Sequence, residues 1–423
     1  MGANHSHDMT VPESPRSVRV AVLAVIVPVA VATLAAVLFL WPDQPKVPGT
    51  EPLKELTGTV VGVELKPCPK PEPGTDEDGA GARRAAPTDP RRCGDAKVKL
   101  TSGDEAGRVV VAPLPSDPGS QRYSAGDDVE LVHLADSPDG IAYQLSDHQR
   151  SGALWLIGAA FALAVIAFGR WRGVTALIGL AITFVLLLRF LIPAIMEGRP
   201  PLLVAIVCAA AIMLAVLYLT HGFTMPTSIA VIGTIASLSL TGLLATAAIN
   251  LTHLGGLSDE DALNLDLAYQ INGQGLLLAS IIIGSLGVLD DVTVTQSVTV
   301  NELAHANPAY RFGQLYRAAA RIGRAHIASV INTIILAYAG ASLPLLLLLS
   351  VAQQPLGDVL TAPAIAQEIV RSVAGTLGLI AAVPITTALA ALARTRAHTD
   401  TDTDTDTDDD HAYDVDTVAS DAI

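Results

Sequence analysis

Apolar runs of about twenty residues recur along this chain and constrain its fold more than anything else in it. A helix needs about 20 such residues to cross the roughly 30 Å hydrocarbon layer of a bilayer. Runs of that grade lie at 20–40, 152–168, 174–195, 202–220, 226–249, 275–302, 326–349 and 373–392. The composition agrees, with 51% hydrophobic and only 16% charged residues. The formal net charge of −15 sits mostly in the C-terminal tail, so it says little about the folded part. Nothing in the chain points to nucleic acid.

The count predicts eight spans, and the charges orient them. Arg16, Arg19, Arg170, Arg172, Arg311, Arg317, Arg321, Arg324, Arg394 and Arg396 all fall on one side if every run crosses. Under the positive-inside rule that side is the cytoplasm, and both termini lie there. The expected division is a cytoplasmic tail (1–17), a first transmembrane helix (18–41), an extracytoplasmic β-rich region (42–150), a seven-helix transmembrane block (151–393) and a disordered acidic tail (394–423). The first run is longer than a signal-peptide core and no small-residue cleavage site follows it, so it reads as an uncleaved span.

Within 43–150, five short valine-rich patches read as strands: TGTVVGVEL at 57–65, AKVKL at 96–100, RVVVA at 108–112, DVELVHL at 128–134 and IAYQL at 141–145. Five strands in so short a region suggest a small barrel of the OB or SH3-like sort. SAGDDV at 124–129 reads as a tight turn leading into a strand. Residues 66–95 are too rich in Pro, Gly and charge to form an element and read as a flexible insert. Cys68 and Cys93 bracket that insert. A disulfide between them fits an outward-facing region; two free thiols are the alternative. Cys208 lies inside an apolar run as a small packing residue.

The most informative stretch is 275–302, GLLLASIIIGSLGVLDDVTVTQSVTVNE. Its uninterrupted apolar part, 276–289, spans only about 21 Å as a helix. The span therefore takes in further residues, and extension toward Asp290 and Asp291 is at least as favourable as extension into the polar residues before it. A carboxylate at the bilayer centre costs about 2.5–3.5 kcal/mol on insertion scales, and such groups face protein or water. Ser280, Gly284, Gly287, Asp291, Thr295 and Glu302 share one helical stripe, expected to face the interior, and Ser280 with Gly284 makes a small-xxx-small pair. Two readings stand: an ion or proton site, or two interfacial acids that mark a helix end.

Other segments are quieter. Gly233, Thr234, Ser237 and Thr241 in the fifth run are packing chemistry for helices in lipid. SDED at 258–261 resembles a capping box. Asn307 and Pro308 look like the cap and first turn of a new helix. His326, Ser329, Asn332 and Thr333 follow at helical spacing, at a depth that suits partners for the aspartates. Residues 351–371 read as an outer connection. The alternating Thr-Asp tail from Thr399 cannot bury a core.

One span, a small β-rich outer domain, then a seven-span block carrying GSLGVLDDVTVTQ and a downstream NEL: this order resembles the YibE/F-like family of bacterial multi-pass membrane proteins. The resemblance extends over most of 56–392, and 275–303 is its specific part. It implies a bacterial cytoplasmic-membrane location. It brings no established activity, so every site residue here is inferred from position and chemistry.

The fold class is therefore mainly α, a polytopic bundle of about eight spans with a small β-barrel-like domain after the first. The first functional reading is a proton- or cation-coupled permease of an unidentified solute. Its candidate site residues are Asp290 and Asp291, with Glu302 at the inner mouth and Asn332 and His326 as partners. The second is a non-transporting scaffold or sensor whose outer domain binds a cell-envelope partner. An aspartyl protease needs two carboxylates facing each other across a shared water; these two are adjacent on one helix. The chain carries no Walker loop and no HExxH motif, so ATP-driven transport by this chain alone and zinc proteolysis are not expected, and the protein is read as a non-enzyme. No catalytic residue, cofactor or metal ligand is assigned. The expected partners are the lipid bilayer, a solute or ion, and a second copy or an envelope protein.

Overall fold

The computed structural model describes residues 16–43, 54–66, 93–115, 120–134, 142–256, 272–351 and 355–406. Among them, seven helices are long and apolar enough to cross a membrane: Ser17–Phe39, Ser151–Met196, Pro201–His221, Met225–Thr252, Gly273–Ala306, Phe312–Ala341 and Pro363–Thr395. Eight runs become seven helices because the second and third are read as one stretch of 46 residues. That stretch is not a continuous rod. Arg170 has φ 52 and ψ −130, a conformation that breaks the helical backbone inside it.

The chain divides into two compact units, one of Lys46–Ala167 and one of Met1–Pro45 with Phe168–Ile423. The first holds a five-stranded antiparallel sheet of order β3-β2-β1-β4-β5. Its strands are β1 (Lys54–Leu65), β2 (Gly94–Leu100), β3 (Val109–Pro113), β4 (Asp128–His133) and β5 (Tyr143–His148). Alternation sets the faces. In β2, Ala96, Val98 and Leu100 are buried while Lys97 and Lys99 point out. They meet Val60, Val110, Ala112, Val129 and Leu131 in one small core. The long β1 serves two partners: Lys54–Thr59 pairs with β4 and Gly58–Leu65 with β2. An irregularity between Val60 and Gly62 lets it bend between them, and the sheet curls. The turn read at 124–129 is present, closed by the Ser124 N–H donating to the Asp127 carboxylate at 2.7 Å.

The second unit contains the helical bundle. Its helices are α1 (Arg16–Phe39), α2 (Ser151–Leu186), α3 (Ile192–Met196) after a π turn at Leu187–Leu191, α4 (Pro201–His221), α5 (Met225–Thr252) and α6 (Gly273–Ala306). Then come α7 (Phe312–Ala341), α8 (Leu343–Val351), α9 (Leu356–Thr361) and α10 (Pro363–Asp406). The boundary between the two units falls inside α2, so only its part from Phe168 belongs here.

Helices α5, α6 and α10 form the centre of the bundle. Their contact is made with hydroxyls and glycines as much as with aliphatic side chains, as helices in lipid require. Thr234 and Thr293 meet at 2.7 Å between their hydroxyls. The Gln296 amide donates to the Ala319 carbonyl at 3.0 Å and to Thr387 at 2.8 Å, tying α6 to α7 and α10. The Ser297 hydroxyl donates to the Pro226 carbonyl at 2.8 Å. Gly233 is glycine because α10 comes so close: a Cβ there would lie 2.3 Å from the Thr386 hydroxyl. The stripe read in the fifth run is thus a packing surface, and Gly233, Thr234, Ser237 and Thr241 are all buried. Helix α4 adds the main aliphatic layer against α6, with Val204, Val207, Cys208, Met213 and Leu217 packed in one cluster with Ile282 and Leu286.

Three local expectations differ from the structure. Helix α7 begins at Phe312 with Arg311 as its cap, not at Asn307; Asn307 instead ends α6. Residues 355–371 hold α9 and the start of α10 rather than an open connection. Helix α10 also runs on to Asp406, into the Thr-Asp repeat. Once a helix is nucleated, each added residue gains one hydrogen bond, so a weak helix former can still extend it. The SDED capping box lies outside the described residues.

Candidate functional site

Asp290 and Asp291 lie midway along α6, which at 34 residues is about 51 Å long. Neither is in the packed centre. Leu289, Val292, Thr293, Gln296, Ser297 and Val300 take that face, leaving Asp290 half-buried and Asp291 exposed. This corrects the expected interior stripe. Gly284, Gly287, Asp291, Thr295 and Glu302 are exposed and Ser280 is half-buried. The reason is that Ser285, Thr293, Gln296 and Ser297 make the stronger packing face, with hydrogen bonds to three other helices.

What the aspartates face instead is a groove of about 350 Å³ between α6, α4 and the second part of α2. It is lined by Asp290 and Asp291 from α6, by Val216, Leu217, Thr220 and His221 from α4, and by Arg172 and Ala176 from α2. Helices α4 and α6 run parallel: Pro201 packs beside Gly275 at one end and His221 joins the aspartates at the other. The end of α4 thereby delivers its last residue to the acidic pair.

The hydrogen bonds fix the chemistry of each group. The Asp291 N–H donates to the Asp290 carboxylate at 2.8 Å, which holds one Asp290 oxygen against its own helix. The Thr220 hydroxyl has one proton, and the Val216 carbonyl takes it at 2.7 Å. Its 2.7 Å contact to His221 Nδ1 is then satisfied when the imidazole donates. That arrangement corresponds to the Nδ1–H tautomer of neutral His221, in which Nε2 is left able to accept a proton. The charges of Arg172 and Asp291 both act on His221. Among the described residues, neither aspartate forms an ion pair within 4.0 Å, and Arg172 forms none either.

The other candidates are not in this groove. Glu302 is exposed farther along α6, where it acts on Arg394 of α10. His326 and Asn332 are both exposed on α7 and do not line the groove, because the α7 face that meets α6 carries Ile327, Val330, Ile331 and Ile334. Arg172, Thr220 and His221 were missed as site residues. No linear motif joins them, although the topology read from the sequence puts Arg172 and His221 on the same side of the membrane. Among the described residues no three His, Cys, Asp or Glu side chains gather to hold a metal ion. Cys93 is buried and disulfide-bonded, Cys208 is buried and free, and Cys68 lies outside the described residues. The Lys66 N–H donates to the Cys93 carbonyl at 2.8 Å, so the two ends of the insert meet.

A bundle of long apolar helices that carries a charged groove, joined to a small antiparallel sheet, defines a multi-pass membrane protein. The chain belongs to the YibE/F-like family: the profile described as YibE/F-like protein matches residues 157–396, more than half of its 423 residues. That match holds the whole groove and leaves the sheet outside it. The chain matches no curated protein and no solved structure.

Proposed function

We propose that this protein is a proton- or cation-coupled transporter of the bacterial cytoplasmic membrane, with Asp290 and Asp291 as its ion site. One observation carries the reading: the groove gathers two carboxylates, a guanidinium and an imidazole midway along the 34-residue helix α6, level with the end of α4. Ionisable groups on membrane-spanning helices mark ion or proton paths by default. In this reading the kink at Arg170 divides Ser151–Met196 into two spans, which restores eight crossings with both termini inside. The groove then opens toward the cytoplasm. The curled sheet is an outer domain of the OB or SH3-like sort, its insert stapled by Cys68 and Cys93. The protein moves a solute without chemical change and is not an enzyme.

A second reading has its own support. Val61, Leu65, Val109 and Val111 are exposed on the sheet, and apolar side chains on an edge such as β3 suit strand addition by a partner. That favours a scaffold or sensor. Reconstitution separates the two. Proteoliposomes are screened for pH- or cation-dependent solute flux, with Asp290→Asn and Asp291→Asn alongside. Flux that is lost in folded variants supports transport. No flux for any solute, with an envelope protein captured through the sheet domain, supports the scaffold.

A further inference from the structure

The groove also bears on which ion it handles, a question that deepens the transport reading and rests on it. Arg172 lines the same groove as the carboxylates, from the α2 wall across from them. A guanidinium keeps its charge at any physiological pH, so a metal cation entering the groove meets a fixed positive charge. The ligand set is also short. No three His, Cys, Asp or Glu side chains converge among the described residues. Asp290 and Asp291 are successive helix positions, about 100° apart, so their carboxylates diverge and cannot clasp one ion together. Thr220 offers little, since its hydroxyl already donates to Val216 and accepts from His221. A metal ion needs several oxygen or nitrogen ligands arranged around it; this wall supplies one carboxylate at a time.

A proton needs less. It takes one carboxylate oxygen and a donor within reach. His221 has the form for that donor, because Thr220 holds its Nδ1–H and leaves Nε2 to pick up and release a proton. The remaining neighbours add no second acid: α1, packed on α4, carries Arg16 and Arg19 as its only charged residues, and α2 adds Arg170 next to Arg172. Helix α5 has no titratable side chain, and α10 has none over 373–392. On α7 the titratable residue at this level is His326, which is exposed next to the buried Ile327.

We infer that the groove binds a proton rather than a metal ion on the Asp290–Asp291 pair, with Arg172 as the resident counter-charge that replaces the proton when it leaves. On binding, an O–H bond forms on one carboxylate oxygen; the proton comes from water or from the His221 imidazolium, which returns to its neutral form. On release the carboxylate regains its charge and the guanidinium compensates it. Arg172 is a positioning residue: it sets when the proton leaves and does not carry it.

Infrared titration of the full-length protein in liposomes tests this without any solute. The wild type gives a protonated-carboxyl band that fades as pH rises and is unmoved by sodium, magnesium or manganese ions. The double variant Asp290→Asn with Asp291→Asn loses that band. Arg172→Gln keeps it to a pH about one unit higher, because removing an opposite charge favours the neutral acid, while Arg172→Lys stays near the wild type. A band that any of the three metal ions abolishes overturns the inference, as does a band whose midpoint ignores Arg172→Gln in protein that still folds. Failure of transport is separable: absent flux leaves this titration intact, and flux that depends on Asp290 without a titrating band leaves transport standing with a different ion.

Discussion

The imidazole of His221 holds its Nδ1 2.7 Å from the Thr220 hydroxyl, one residue before it at the end of α4. That hydroxyl is in turn anchored on the Val216 carbonyl. The chain of two bonds sets both the orientation and the tautomer of a histidine that faces Asp290 and Asp291.

Thr220→Val keeps the size of the side chain and removes the acceptor. Nitrogen NMR of histidine-labelled protein then reads the tautomer directly. The wild type should give the Nδ1–H form at neutral pH for His221, and Thr220→Val should give a mixture. An Nε2–H form in the wild type contradicts the assignment.

Gly233 and Thr386 make a pair that can be tested as one. A Cβ at Gly233 would sit 2.3 Å from the Thr386 hydroxyl, and that threonine is fully buried. Gly233→Ala should lower stability by about 1–3 kcal/mol, the usual range for overpacking. Thr386→Ala in the same chain should recover part of that loss, since residues in contact are not additive. Thermal unfolding in detergent measures both. Equal losses with and without Thr386→Ala contradict the close approach.

The sheet domain carries a pH signature. Asp147 takes a hydrogen bond from Arg150 and another from the His148 N–H, and these hold its carboxyl down from 3.8 to about 2. A carboxylate with a depressed value in the folded state contributes stability above its unfolded value and loses it as pH falls toward the folded one. The contribution is thus present at neutral pH and fades between about 4 and about 2. Hydrogen exchange of β5 in the full chain should differ between wild type and Asp147→Asn near pH 6 and converge near pH 2. A difference that persists at the acid end contradicts the pairing.

Cysteine chemistry separates the two units in another way. Peptide mapping without reductant should link Cys93 to Cys68 and leave Cys208 as the free thiol. Cys208 is fully buried against α6, so it should react with a thiol reagent only after unfolding. A reactive Cys208 in folded protein contradicts its place in the aliphatic layer.

Much of the fold was legible because its signals are periodic. AKVKL declares its two faces in five letters, and Ala96, Val98 and Leu100 are buried as the alternation says. The apolar runs declare the long helices, with two runs joined in one stretch. Two things were not legible. A stripe of small residues with a carboxylate, such as Gly284, Gly287 and Asp291, reads the same whether it faces a protein interior or an open groove. Only the competing stripe of Thr293, Gln296 and Ser297, and the partners it finds on three helices, decides which face turns inward. The other was the wall opposite the aspartates. Arg172 and His221 lie far from Asp290 in sequence and share no motif with it; parallel packing of α4 on α6 brings His221 there, and the stretch after the kink at Arg170 brings Arg172. His326 and Asn332 had suitable spacing on α7, yet that helix turns its isoleucines to α6 instead.

The most direct test of a wet, charged groove within the bundle is thiol labelling from water. With Cys208 replaced by Ala, single changes Ala176→Cys and Asp291→Cys are placed on the groove wall and Leu243→Cys on the exposed apolar face of α5. A charged, membrane-impermeant thiol reagent is applied to inside-out vesicles. Rapid labelling at Ala176 and Asp291, with none at Leu243, is the expected result. If the two groove positions are as unreactive as Leu243, lipid rather than water fills that space, and the aspartates do not form an ion site.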